Sequence, residues 1–261
     1  MIAKIGLLQL QRCHDAMPEG PSIVILRDLV EEFVGRSVVR VEGNTKLLDL
    51  ERMRGKKVLA FRSWGKHFFV CFSGFTLRLH FMLFGSYLIN ARKETTARLS
   101  LGFDDDEINF YACSVRYVEG DLDVIYDWSA DVMSDAWDAR AARRKLRARP
   151  DMLVCDALLD QNIFAGVGNI IKNEVLFRIR LHPESLVGAL SARKLGELVA
   201  QAREYAFDFL KWKRAFVLRK HYLVHTRTTC PRCDIRLQYR AHLGVTKRRA
   251  FFCNHCQRLR R

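Results

Sequence analysis

No stretch of this 261-residue sequence approaches the roughly 18 consecutive apolar residues of a membrane-crossing helix. The short apolar patch near the start is broken by Gln9, Gln11, Arg12, His14 and Asp15, which argues against a secretory leader. Proline is scarce, at five residues, and no internal repeat or low-complexity tract appears, so repeat arrays and disordered tails are both excluded. Acidic side chains are also in deficit: 29 Asp and Glu face 44 Lys and Arg, a net charge of +15. That excess points to a polyanionic partner, because Lys and Arg that neutralise phosphates release condensed counterions. Nucleic acid leads and an acidic membrane surface comes second. Cysteine gives no disulfide framework, since Cys13, Cys71, Cys113 and Cys155 stand singly among apolar neighbours. A reducing cytoplasm is the expected setting, with nucleoid association if the source is bacterial.

Hydrophobic content is 49%, enough for two or three compact units. Between Gly20 and Gly35, Ile23, Leu26, Leu29, Val30 and Phe33 recur near one helical face, with Pro21 in the first turn and Gly35 as a stop. The period then changes. Val39 and Val41, Leu77 to Phe81, Leu99 to Phe103, and Ile108 and Phe110 alternate with polar residues as half-buried strands do, and Gly55, Gly65, Gly74 and Gly85 punctuate them. A β-sandwich or barrel behind one leading helix is expected up to about Trp128. Helical periodicity returns in 134–149, which Pro150 ends, and in 151–161, 169–179 and 191–212.

Two local patterns carry chemistry. Cys230-Pro-Arg-Cys233 and Cys253-Asn-His-Cys256 have the spacing of two thiolate pairs closing a tetrahedral Zn²⁺ site, as in zinc ribbons. Such a metal is structural, holding a tail too small for its own core. Between the pairs, Thr246 to Phe252 forms a basic turn with aromatic support suited to phosphate contact. The second pattern is Gln161 to Asn169, where Gly166 and Gly168 permit a tight turn of converging N–H groups before a helix whose positive end attracts phosphate. A plain connection reads the same way. A dinucleotide fold does not fit, lacking the preceding strand and a third glycine.

Pro18-Glu19-Gly20-Pro21 opening a helix, Gly65-Lys66, Ala165 to Asn169 followed by Glu174 to Phe177, His182-Pro183 and the four-cysteine finger occur together in that order. From residue 17 to the C-terminus the chain resembles the Fpg/Nei family of DNA glycosylases. The run Ile170 to Glu174 is closer to the endonuclease VIII-like branch than to the formamidopyrimidine branch. The resemblance implies three domains: a catalytic β-sandwich with a leading helix (17–128), a helix-two-turn-helix module (129–225) and a zinc finger (226–261). It implies base excision and strand cleavage on damaged DNA, double- or single-stranded, by a monomer that needs no membrane.

In the family's pattern the initiator methionine is removed, and the amine of Pro18 attacks C1′ of the damaged nucleotide to give an iminium ion. An α-amine suits this role, since with a pKa of about 7.7–8 it is roughly one-third unprotonated near pH 7.5. Glu19 is implied as general acid and base, and Lys66 as a phosphate contact that assists proton transfer. Asn169, Gly168 and Arg248 are implied to grip the DNA backbone, with Arg249 the nearest competitor for Arg248. Leu83 fills the space left by the extruded base, with Met82 as its alternate. Read alone, Pro18-Glu19 is an ordinary helix start and Lys66 an ordinary turn lysine. Ser114 to Tyr117 does not match the second intercalating loop of the formamidopyrimidine branch.

Residues 1–16 depart from the pattern, because a proline inside a chain is a tertiary amide without a nucleophilic lone pair. The expectation is that translation starts at Met17 and that residues 1–16 are an annotation artefact or are removed. Two rival readings remain at this level. A non-catalytic DNA- or RNA-binding zinc protein explains the charge and the finger but not Pro-Glu after a methionine. A zinc-stabilised scaffold explains only the cysteines.

Overall fold

The computed structural model describes residues 18–45 and 48–261. The expectations for residues 1–16, Met17 and Cys13 fall outside the described residues. The chain divides into two compact units, one holding Pro18 and Leu26–Ile125 and the other Glu19–Ile25 and Tyr126–Arg261. Grouping of Glu19–Ile25 with the later residues follows from backbone and side-chain bonds to Gly166–Ile171, described below.

The first regular element is α1 (Gly20–Leu29). Ile23, Leu26, Val30 and Phe33 are all at most 1% exposed, so the apolar stripe seen in the sequence is the buried one. The regular helix stops short of Gly35. A tighter 3₁₀ turn, Glu31–Phe33, keeps Phe33 on the buried face, where its ring lies 4.9 Å from that of Phe103. Gly35, at φ +84°, then reverses the chain and donates its N–H to the Val58 carbonyl.

Six strands follow: β1 (Arg40–Glu42), β2 (Ala60–Trp64), β3 (His67–Phe72), β4 (Phe75–Ile89), β5 (Leu99–Phe103) and β6 (Asp106–Val118). Hydrogen bonds join them in one antiparallel sheet of order β1-β5-β6-β4-β3-β2. Strands β2 and β3 had no signal of their own in the sequence. His67–Phe72 is buried at four of its six positions, three of them consecutive, so it lacks the alternation that reveals a half-buried strand. The two strands close on a two-residue turn, Gly65-Lys66, between the paired residues Trp64 and His67. Gly65 sits at φ +55°, as the first position of a tight hairpin turn of the primed type requires.

Pairing of β4 with β6 slips between Phe81 and Ser86. A Cβ on Gly85 would lie 2.6 Å from the Phe81 Cβ, so glycine lets the strand fold closely over that side chain. The irregularity turns Met82, Leu83 and Phe84 outward, at 55%, 45% and 72% exposure. Beneath the sheet, Phe68 is buried between Phe61 at 5.6 Å and Phe110 at 6.0 Å.

The second unit is helical. After a short helix α2 (Leu122–Ile125) that ends the first unit come α3 (Ala139–Arg147), α4 (Val154–Leu159), α5 (Asn169–Arg178) and α6 (Ala192–Arg214). Asp138 caps α3 through the Arg140 N–H at 2.7 Å, and Ser191 caps α6 through the Lys194 N–H at 3.2 Å. Helix α5 is the unit's axis: Asn169 through Phe177 are all buried. Arg232, inside the first cysteine pair, bonds the Phe177 and Arg178 carbonyls at its C-terminal end. The chain closes with the hairpin β7 (Gln238–Leu243) and β8 (Arg248–Phe252). Phe177, Val224, Leu237, Cys230 and Cys253 form a small core beneath it.

Replacing Phe68 with Ala removes the centre of the sheet's aromatic cluster and is expected to cost about 3–5 kcal/mol. Urea denaturation followed by tryptophan fluorescence measures this, and a loss below about 1 kcal/mol would contradict the packing described.

Candidate active site and nucleic-acid interface

The two glycine-containing motifs of the sequence meet. Glu19 is 1% exposed, and its carboxylate accepts the N–H groups of Gly168 (3.0 Å), Ile170 (2.7 Å) and Ile171 (3.2 Å) at the start of α5. An anion there meets the unpaired donors and positive end of the helix. The backbones are tied as well: the Gly20 N–H donates to the Gly166 carbonyl at 2.8 Å.

This fit explains the glycines. A Cβ on Gly168 would stand 2.4 Å from the Glu19 Cδ, and one on Gly20 would stand 2.9 Å from the Gly166 Cα. Gly166 itself adopts φ +96°. The N–H of Gly168, which the sequence suggested for DNA, is therefore engaged by Glu19: a carboxylate from within the chain takes the place at the helix N-terminus that a phosphate was expected to take. Pro18 directly precedes this anchored residue and is half-buried.

Asn169 opens α5 and is 8% exposed. Its Oδ1 accepts a hydrogen bond of 2.7 Å from the Lys172 ammonium one turn on, and the same Nζ donates to the Arg249 carbonyl at 2.8 Å. Arg248 begins β8 with an exposed side chain, beside the carbonyl that Lys172 holds. Glu19, Asn169 and the backbone of β8 thus belong to one bonded assembly. Lys172 joins them, and Asp156 on α4 holds the turn before β8 by accepting the Val245 and Thr246 N–H groups; sequence reading singled out neither. A lysine within a helix ordinarily reads as solvated surface. Asn169, Lys172 and Asn173 recur at helical spacing and so read as a solvated stripe, although all three are buried.

Lys66 and Leu83 lie in the first unit. Lys66 is half-buried in the β2–β3 turn. His80, half-buried on β4, pairs across the sheet with His67, their rings 5.4 Å apart. Burial first, then Lys66 and Arg78, push the His80 pKa down, and burial with Arg78 and His80 pushes that of His67 down to about 3. Both imidazoles are neutral at pH 7. Leu83 and Met82 are both exposed, and Phe84 beyond them is more exposed than either. Sequence reading passed over Phe84.

Cys230, Cys233, Cys253 and Cys256 are brought together, their ligand atoms within 4.8 Å of one another. The Sγ separations are 3.8 Å for Cys230–Cys256 and 3.9 Å for Cys233–Cys253. Four thiolates about 2.3 Å from a central ion in a tetrahedron stand about 3.8 Å apart, so the donors fit a metal ion. Among the described residues no helix is long and apolar enough to cross a membrane.

The sheet unit, the helical module and the four-cysteine finger define an Fpg-like fold. Residues 17–116 match the formamidopyrimidine-DNA glycosylase N-terminal domain, and residues 129–207 match the H2TH domain of the same enzymes. The chain belongs to the Fpg/Nei family of DNA glycosylases. It is 34% identical to Endonuclease 8-like 3 of Mus musculus over 203 residues, covering 74% of this chain and 33% of that protein. It is 26% identical to Endonuclease 8 2 of Mycobacterium tuberculosis over 265 residues, covering 93% and 100%. The chain spans about a third of the length of the Endonuclease 8-like 3 proteins it matches. Among solved structures, formamidopyrimidine-DNA glycosylase of Lactococcus lactis, bound non-covalently to DNA containing an AP site, superposes with a TM-score of 0.81 at 22% identity, covering 92% of this chain and 99% of that one.

Gly168→Ala is expected to expel the Glu19 carboxylate and lower stability by about 1–3 kcal/mol, read as the shift in denaturation midpoint. An alanine accepted without measurable change would contradict the close approach of the two motifs.

Proposed function

We propose that this chain is a base excision repair DNA glycosylase that also cleaves the strand, using the secondary amine of Pro18 as its nucleophile. The observation carrying the proposal is the buried Glu19 carboxylate on the start of α5, which anchors the residue next to Pro18 beside Asn169. Its partner is damaged DNA, double- or single-stranded. The excess of basic residues and the DNA-bound state of the similar Lactococcus lactis structure support that choice. The enzyme acts as a monomer in the cytoplasm, or on the nucleoid of a bacterial cell.

In this mechanism the lone pair of the Pro18 nitrogen forms a bond to C1′. The C1′–N bond to the damaged base breaks and its electron pair leaves with the base, which takes up a proton. The Pro18 nitrogen gives up its own proton, the sugar ring opens at C1′–O4′, and O4′ is protonated. A secondary amine then yields a cationic iminium. That cation withdraws electrons from C2′, so a C2′ proton is lost and the electron pair expels the 3′ phosphate. Water finally hydrolyses the iminium and frees the amine.

Glu19, an anion in the resting site, is the proton carrier nearest the nucleophile: it takes the proton that the Pro18 nitrogen gives up, passes it toward O4′ and accepts one again afterwards. Lys66, presented on its tight turn, contacts the phosphate beside the lesion and supports proton transfer. Asn169 and Arg248 bind the DNA backbone. Leu83, with Met82 as alternate, enters the stack where the base has left. The four cysteines hold one structural Zn²⁺, which keeps Arg248 on a folded strand. The active species begins at Pro18, because only a chain terminus leaves the proline nitrogen with a lone pair.

Protein beginning at Pro18 is expected to form a borohydride-stable adduct with abasic-site DNA and to nick it in single turnover, whereas protein retaining residues 1–17 does neither. Equal trapping by both would overturn the amine assignment. Metal analysis should find one zinc per chain, and Cys253→Ser should lose it together with DNA affinity; full affinity without metal would contradict the finger's role.

A further inference from the structure

We propose that Lys172 is a positioning residue for phosphate recognition, its buried ammonium joining the Asn169 side chain to the finger strand beside Arg248 so that both donors are fixed before DNA arrives. This rests on the reading above, in which Asn169 and Arg248 bind one stretch of backbone.

Lys172 is 1% exposed on a helix buried from Asn169 to Phe177. Burying an ammonium is costly, and an apolar side chain of similar length would pack there without that cost. The cost is visible in the group itself. Burial pushes the Lys172 pKa down to about 8 against the favourable pull of Cys155, Glu19 and Asp156, and Arg248 pushes the same way as burial.

What the charge accomplishes follows from its two bonds. An ammonium has donors and no acceptor, so the Asn169 atom 2.7 Å from Nζ is the carbonyl oxygen. The NH₂ end of the carboxamide is thereby assigned to the opposite side. A phosphate offers only acceptors, and an amide can meet it only through NH₂. Without Lys172 the Asn169 amide is free to present its oxygen, which repels the anion.

The second bond, to the Arg249 carbonyl at 2.8 Å, fixes the chain one residue after Arg248. The chain before Arg248 is fixed from α4. The buried Asp156 carboxylate accepts the N–H groups of Val245 (3.0 Å) and Thr246 (3.1 Å) and the Thr246 hydroxyl (2.7 Å). Gly244 brings its backbone close enough that a Cβ would stand 2.3 Å from Asp156 Oδ2. Arg248 therefore leaves a backbone held on both sides by buried groups of opposite charge, which lowers the ordering cost of binding.

The test is equilibrium binding of the Pro18-start protein to a duplex containing a tetrahydrofuran abasic analogue, compared with the undamaged duplex. Lys172→Met and Asn169→Ala are each expected to weaken binding to the analogue about tenfold. The double variant should bind no more than about threefold worse than either single one, since both remove one device. Lys172→Arg should recover most of the loss. If Lys172→Met does not keep wild-type zinc content and helicity, Lys172→Gln replaces it in the same cycle. Multiplying losses, or wild-type binding by the neutral variant, would overturn the role of Lys172. A wild-type protein with no preference for the abasic analogue would instead sink the enzymatic reading.

Discussion

The interaction on which the site depends is the buried carboxylate of Glu19 against the N-terminal turn of α5. Three N–H groups converge on it, and glycines at 20, 166 and 168 let the two backbones come within hydrogen-bonding distance. A helix start buried without a partner would carry unsatisfied donors, and a buried carboxylate without donors would carry an unsatisfied charge. Each satisfies the other. The consequence is local order: the residue after the proposed nucleophile and the first turn of α5, which Asn169 opens, are set by the same bonds.

Around that contact the second unit reuses one device, a buried charged side chain that accepts or donates to backbone. Glu174 takes the N–H groups of Leu223, Val224 and His225 and so fixes the segment entering the finger. Asp156 holds the finger's turn and Lys172 its strand, while Arg232, an exposed residue, holds the end of α5. These bonds position irregular segments that have little apolar surface of their own. The four cysteines, placed to hold a metal ion, add the remaining constraint once one is bound, in a tail of about thirty-five residues that is too short to be stable by burial alone.

Much of this was legible in the sequence, and the exceptions have physical causes. The four cysteines announce their site because metal geometry imposes spacing on the chain. The strand Leu99–Phe103 shows its period because Ser100 and Gly102 alternate with its large apolar residues, and helices such as Ala192–Arg214 show theirs, whereas β3, with Phe68, Phe69 and Val70 buried in succession, shows none. Pro18-Glu19-Gly20 and Gly166-Val167-Gly168-Asn169 were each visible as motifs, but their contact across some 150 residues was not, because neither motif encodes its partner. For that reason the helix N-terminus read as a place for phosphate. Lys172 and Asp156 were hidden by residue type, since lysine and aspartate are seldom fully buried.

The central claim is that the anchored segment delivers a free proline nitrogen to the sugar carbon. Mapping the borohydride-reduced adduct by peptide mass spectrometry tests it most directly. The account predicts the deoxyribose remnant on the nitrogen of Pro18 in protein starting there. Its appearance on a lysine, whether Lys66, Lys172 or another, with Pro18 unmodified, would contradict it.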